Sequence, residues 1–291
     1  MPELPDINLY VEKIDERIRG QVLDNIRVSK PFLVRSFDPP LSAANGKRIT
    51  ELRRLGKRIV FGLEADFWLV LHLMVAGRLH WHDEPVAITG KHKLAAFDFP
   101  NGCLTLTEAG TKKRASLYLV GSARALAEHD PGGIEPLDCS CDEFRTQLLR
   151  ENRTLKRALT NPRLFSGIGN AYSDEILHAA HLSPIKLTSK LSEVEVRSLF
   201  DATRKTLEYW CSLLRDQSED QFPEKITAFR AEMAVHGKFG KPCPDCGTGV
   251  QRIRYKSKET NYCPGCQTGG RLLADRSLSR LLKDDWPDTT P

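Results

Sequence analysis

Two groups of residues have types and spacings suited to chemistry: a proline directly behind the first methionine, and two Cys-x-x-Cys pairs near the other end. Removing Met1 from Met1-Pro2-Glu3-Leu4-Pro5-Asp6 leaves Pro2 as a secondary amine, with a pKa near the ~8 typical of α-amino groups. A useful fraction is then unprotonated near neutral pH, whereas a lysine needs a downward shift of roughly two to three units to match it. Such an amine attacks an aldehyde carbon and forms a Schiff base, and the Glu3 carboxyl beside it can transfer the proton. The same residues also fit a stiffened terminus in which Glu3 merely sits in a first helical turn, where the helix dipole favours anions.

The cysteines speak more directly. Cys243-Pro-Asp-Cys246 and Cys263-Pro-Gly-Cys266, separated by 16 residues, fit a tetrahedral site on two knuckles that holds one zinc ion. Four thiolates close the shell, so this zinc is structural and leaves no position for water. Val250–Tyr262 between the pairs is expected to form a β-hairpin bearing Arg252, Arg254, Lys256 and Lys258. No secretory signal is visible, because charges interrupt the first 20 residues, and that context favours metal over disulfides. The longest apolar stretch, Phe67–Ala76, is broken by His72 and too short to span a bilayer. A cytoplasmic, nucleoid-associated protein that avoids membranes and acts as a monomer is expected.

These groups need elements to hold them. Ile7, Val11, Ile14 and Ile18 recur at helical spacing, with Gly20 as a stop. From residue 22 to about 125, short β-rich runs such as Arg58–Leu63, Phe67–Met74, Lys93–Phe99 and Cys103–Thr107 alternate with turns such as Pro100-Asn101-Gly102, which reads as a sandwich or barrel. Asp130–Pro136 looks like a linker, and residues 141–215 are helical in character. Asp216–Pro223 is polar and reads as a mobile loop. The expectation is a multidomain α+β chain. A helix plus β-sandwich occupies 1–128, a linker 129–140, a helical domain 141–235, a zinc-ribbon finger 236–272 and a tail 273–291.

Charge supports a polyanionic partner locally more than globally. Forty-three Lys and Arg stand against 38 Asp and Glu, a formal +5. Within 47–58, however, Lys47, Arg48, Arg53, Arg54, Lys57 and Arg58 face Glu51 alone. Residues 238–271 hold seven cations against Asp245 and Glu259. Such faces suit phosphate contacts, although a solvated charged face is the ordinary alternative.

One more motif ties the chain together. Phe165-Ser-Gly-Ile-Gly-Asn170-Ala-Tyr places Gly167 and Gly169 between two helical stretches, where backbone N–H groups can approach an anion at the new helix's N-terminus. An ordinary helical hairpin would read the same way. The Met-Pro-Glu-Leu-Pro start, the Gly-Ile-Gly-Asn-Ala-Tyr turn and the terminal Cys₄ ribbon, in that order over residues 1 to about 267, resemble the formamidopyrimidine-DNA glycosylase/endonuclease VIII family.

The resemblance implies a helix-two-turn-helix domain after the β-sandwich, with DNA held in the cleft between them. It implies a bifunctional DNA glycosylase/abasic-site lyase of base-excision repair whose partner is DNA containing damaged bases or abasic sites. By it, the Pro2 nitrogen attacks C1′ of the damaged nucleotide and expels the base. Glu3 protonates the opening sugar, and the resulting iminium permits β,δ-elimination. Lys57 and Asn170 match phosphate-holding positions, and Met74 matches the residue that fills the void left by the extruded base.

The chain also departs from the family pattern. Asp6 stands where Glu is usual, so its part in proton shuttling during elimination is altered. Lys258 replaces an arginine and keeps the charge without the bidentate fork. Gly110-Thr-Lys112-Lys113-Arg114 carries no aromatic wedge, so Arg114 either stacks with the orphaned base or, with Lys112, contacts phosphate. These departures weaken 8-oxoguanine opposite cytosine as the preferred lesion. They also motivate the alternative of a non-catalytic damaged-DNA-binding protein of the same fold. A zinc-ribbon regulator offers no reason for the Pro2-Glu3 terminus.

Lesser features remain. His80-Trp-His82 alternates along a strand and suits solvent-facing histidines better than a metal site. Cys139 and Cys141 read as free thiols. Leu278, Leu281 and Leu282 in the tail suggest a short amphipathic helix.

Overall fold

The computed structural model describes residues 1–224, 226–255 and 258–274. The reading of Leu278, Leu281 and Leu282, and that of Lys256, falls outside the described residues. The chain divides into two units: Met1–Pro131 with Trp210–Thr227, and Gly132–Tyr209 with Ala228–Pro291.

The first unit opens with α1 (Leu4–Ile18), whose first turn tolerates Pro5 because the N–H it lacks would have no intrahelical partner. Leu4, Ile7, Tyr10, Ile14 and Ile18 bury one face, and the chain leaves the helix through Gly20 at φ +77°. Nine strands follow: β1 (Val22–Leu23), β2 (Asn25–Val28), β3 (Lys47–Leu55), β4 (Arg58–Leu63), β5 (Phe67–His72), β6 (Gly77–His82), β7 (Lys93–Phe99), β8 (Gly102–Glu108) and β9 (Ser116–Val120). A short α2 (Ala123–Ala127) ends this stretch.

The strands form two antiparallel sheets, β1-β3-β4-β5-β9 and β2-β7-β8-β6. Phe61 of β4 stacks on Phe97 of β7 with ring centroids 6.0 Å apart, so the sheets meet as the expected sandwich. Helix α1 packs on β3 and β4, and Arg54 of β3 reaches Asn8 Oδ1 at 2.8 Å. The basic run is therefore partly engaged: Lys47 lies over the Phe67 ring and Arg53 over that of Trp68.

Residues 216–223 differ from the loop their polarity suggests. Helix α6, introduced below, continues through Ser218. Phe222 is buried and packs on Tyr10, with ring centroids 5.9 Å apart and Arg17 over its ring. A single aromatic anchor in a polar segment outweighed the composition.

The second unit contains α3 (Cys141–Leu149), α4 (Leu155–Leu159), α5 (Asn170–Ala179) and most of α6 (Glu193–Ser218). Ser140 and Glu143 form a capping box at α3. Phe144 packs against Phe165 and Phe200 in the core. The expected hairpin is present as β10 (Gln251–Tyr255) and β11 (Lys258–Tyr262), followed by α7 (Pro264–Thr268). Among the described residues, no helix is long and apolar enough to cross a membrane.

Candidate functional site

At the N-terminus Pro2 is buried, Glu3 is 2% exposed and Asp6 is 1% exposed. Glu3 is the N-cap of α1 in extended conformation. Its N–H donates to Asp6 Oδ2 at 2.9 Å, and its carboxylate accepts from the Asp6 N–H. This is a reciprocal capping box in which Asp6 takes the N3 place usually held by Glu or Gln. Two carboxylates are thus fixed beside Pro2 by backbone donors.

The electrostatics of that corner are mixed in sign. Burial lowers the pKa of the Met1 amine; Glu3 and Asp6 oppose the shift, while Arg78 and Lys57 add to it. Lys57 occupies the two-residue turn between β3 and β4, where Gly56 takes φ +61°. Arg78, on β6, donates to the Gly77 carbonyl at 2.6 Å. Lys57 thus acts on the charge of the Met1 amine, together with Arg78, a cation that the sequence did not single out.

The turn from β5 to β6 is built tightly. Gly77 N–H donates to Leu73 O at 2.9 Å, and a Cβ on Gly77 would stand 2.3 Å from that oxygen. Met74 takes φ +53°, a conformation that side chains disfavour, and its N–H donates to His72 Nδ1 at 2.9 Å. Burial, reinforced by Arg58 and Lys57, pulls His72 down to about 4, so it stays neutral and accepts this bond. Met74 is half-buried, whereas Val75 beside it is 60% exposed. The apolar tip of the turn is Val75.

Arg114 is exposed at the end of a loop organised by buried Glu108, whose carboxylate accepts from the Arg114 N–H at 2.9 Å and the Ala115 N–H at 3.2 Å. His80 and His82 engage Thr107 and Thr105 at 2.9 and 3.0 Å, and His80 also pairs with Glu224. Both rings are thus held by neighbours in the sandwich. Cys139 and Cys141 are free thiols.

In the second unit, Asn170 begins α5 after the Gly167–Gly169 turn, in which Gly167 takes φ +75°. Its side-chain amide donates to the Glu259 carbonyl of β11 at 2.8 Å. Lys258 begins β11 and pairs with Tyr255; its side chain lies outside the described residues. One helical turn beyond Asn170, fully buried Asp174 receives Lys156 Nζ and His236 Nδ1, the latter at 2.7 Å. Glu175 accepts three successive N–H groups, from Ala234, Val235 and His236, at 2.8–3.0 Å.

The four cysteines come together in two close pairs, and Cys246 is not among the residues whose ligand atoms all lie within 4.8 Å of one another. Cys243 and Cys266 sulfurs lie 3.8 Å apart, and those of Cys246 and Cys263 lie 3.3 Å apart. A tetrahedral zinc with bonds of about 2.3 Å has sulfur–sulfur edges of about 3.8 Å; the Cys243–Cys266 separation matches that edge and the Cys246–Cys263 separation is shorter. Hydrogen bonds with Thr248 pull Cys246 down to about 6, while burial pushes Cys263 up to about 11 and raises Cys266. His178 was not foreseen: its ring nitrogen and the sulfurs of Cys243, Cys263 and Cys266 all lie within 4.8 Å of one another.

A family model for the formamidopyrimidine-DNA glycosylase N-terminal domain matches residues 1–113, and one for the H2TH domain of the same enzymes matches 133–218. The chain belongs to the formamidopyrimidine-DNA glycosylase family. The formamidopyrimidine-DNA glycosylase of Thermus thermophilus is 33% identical over 276 residues, covering 93% of this chain and all of the relative. That of Heliobacterium modesticaldum is 31% identical over 284 residues, covering 92% and 100%. Among solved structures, a Lactococcus lactis Fpg in complex with abasic-site DNA superposes with a TM-score of 0.80 at 27% identity, covering 91% of this chain and 99% of that one.

Within the family frame, Pro2, Glu3, Asp6, Lys57 and Met74 fall in the first matched span and Asn170 in the second. Arg114 and the four cysteines fall outside both. Arg78 had a weak signal in the sequence, as a cation opening the strand after a glycine turn. Asp174, Glu175 and His178 had the spacing of one helical face behind Asn170, which could have marked a docking surface.

Proposed function

We propose that this chain is a DNA glycosylase of base-excision repair with abasic-site lyase activity, acting through Pro2 once Met1 is removed. The carrying observation is the buried Glu3 carboxyl at the N-cap of α1, immediately beside Pro2 and tied to Asp6. Membership in the family supports the substrate class, and the complexes with damaged or abasic-site DNA are those of its relatives.

The chemistry runs in balanced steps. The Pro2 nitrogen forms a bond to C1′ as the bond from C1′ to the base breaks; the base leaves with that electron pair and takes up the proton that the Pro2 nitrogen gives up. Opening of the sugar breaks C1′–O4′; Glu3 in its acid form gives O4′ its proton, and an iminium remains at C1′. The iminium acidifies C2′, so loss of that proton expels the 3′ phosphate by β-elimination. A second elimination, with loss of the C4′ proton, releases the 5′ phosphate, and water hydrolyses the iminium to regenerate the amine. Asp6 acts here through the Glu3 cap, which holds the acid in place.

Lys57, Arg114, Asn170 and Lys258 serve as phosphate contacts, and the Met74–Val75 turn fills the space left by an extruded base. One structural zinc on Cys243, Cys246, Cys263 and Cys266 would hold the hairpin in shape. Assay of the protein on duplexes carrying one abasic site or one of a panel of oxidised bases tests the proposal. Strand breaks ending in β- and δ-elimination products are expected. Tight, salt-sensitive binding without cleavage would leave only a damage-binding protein.

A further inference from the structure

His178 is 4% exposed on α5, and its Nε2 lies 3.2 Å from Cys243 Sγ. Asn170, Asp174 and His178 are spaced four residues apart, which places them on one helical face. The first two grip the ribbon through the Glu259 carbonyl and through His236. His178 extends that grip to a metal-ligating sulfur. Two Cys-x-x-Cys pairs are by type and spacing a complete tetrahedral set; on that reading the imidazole, although within 4.8 Å of the sulfurs of Cys243, Cys263 and Cys266, stands outside the coordination shell.

We propose that His178 is a positioning residue of the metal centre: its Nε2–H donates a hydrogen bond to the Cys243 thiolate and so fastens the zinc ribbon to helix α5. The chemistry selects this polarity. A metal-bound thiolate has no hydrogen to give, so the hydrogen between Sγ and Nε2 must sit on nitrogen. Four thiolates around a divalent ion carry two surplus negative charges, and a buried N–H donor offsets part of that charge. Asp245, half exposed, sets its carboxylate 3.7 Å from the same Nε2, beyond hydrogen-bond distance, as a negative charge on the solvent side. The inference rests on the metal reading of the cysteines and is independent of the reaction at Pro2.

The test uses full-length, zinc-loaded protein and its His178→Ala, His178→Phe and His178→Gln variants. Metal transfer to a colorimetric chelator should be about tenfold faster in the Ala and Phe variants. The Gln variant, which keeps an N–H donor, should approach the wild-type rate. Cobalt(II)-substituted wild type and His178→Gln should share the same four-thiolate spectrum. In the wild-type protein alone, long-range proton–nitrogen spectra of the metal-loaded form read the ring tautomer directly, and the hydrogen should be on Nε2. Equal release rates in all variants, a nitrogen-ligand cobalt spectrum, or a hydrogen on Nδ1 with Nε2 bare would each overturn the proposal.

Discussion

The N–H of Glu3 donates to the Asp6 carboxylate at 2.9 Å, and the Glu3 carboxylate accepts from the N–H of Asp6. Asp6 thus holds the acid that flanks Pro2. Asp6→Ala leaves the buried Glu3 N–H without this acceptor and should lower stability by about 1–2 kcal/mol. Asp6→Asn keeps an acceptor oxygen and should lose less. Urea denaturation of both variants decides the matter, and equal stability of Asp6→Ala and wild type would remove the cap from the account.

His72 gives the fold a defined pH dependence. Its pKa falls from 6.5 to about 4 on folding because burial disfavours the charged ring. Between those values the unfolded chain binds more protons than the folded one, so this contribution is lost as pH falls. The loss should reach about 2 kcal/mol by about pH 5. His72→Asn, which retains an acceptor for the Met74 N–H, should flatten that part of the stability profile. A profile for His72→Asn that parallels wild type would assign the pH dependence to other groups.

The apolar tip at Val75 separates stability from binding. Val75 is 60% exposed, so Val75→Ala should change stability by no more than about 0.5 kcal/mol. If the tip enters duplex DNA beside the lesion, the same change should weaken binding to an abasic-site duplex several-fold. Fluorescence anisotropy at fixed salt compares the two proteins. Unchanged affinity would place the tip outside the interface.

Asp174 is fully buried between Lys156 and His236. Asp174→Leu strands a buried ammonium and should destabilise the protein by about 3 kcal/mol or more. Adding Lys156→Met should recover part of that loss, because both buried charges are then gone. A double variant no more stable than Asp174→Leu alone would show that the damage lies in the His236 contact instead.

Much of this was legible in the sequence, but unevenly. The spacing of Ile7, Ile14 and Ile18 marks α1, and the apolar runs Arg58–Leu63 and Lys93–Phe99 coincide with β4 and β7. Strand β3 was hidden: its cations obscure the apolar positions, and a register shift between Ile49 and Glu51 breaks the two-residue period. Phe222 was hidden by its polar neighbours. At the site, Pro2, Glu3 and the cysteines announce themselves by type and spacing. Asp174, Glu175 and His178 do not, because their partners in the cysteine-bearing segment lie 59 to 65 residues away and only folding brings them together.

The most direct measurement is borohydride trapping on a duplex containing one abasic site, using protein whose free Pro2 has been verified by intact mass. Reduction should freeze the iminium as a covalent protein–DNA adduct. Peptide mapping should place the sugar on the N-terminal proline, and protein retaining Met1 should give no adduct. Failure of the free-Pro2 protein to trap, or an adduct mapping to a lysine, would contradict the assignment of Pro2 as the nucleophile.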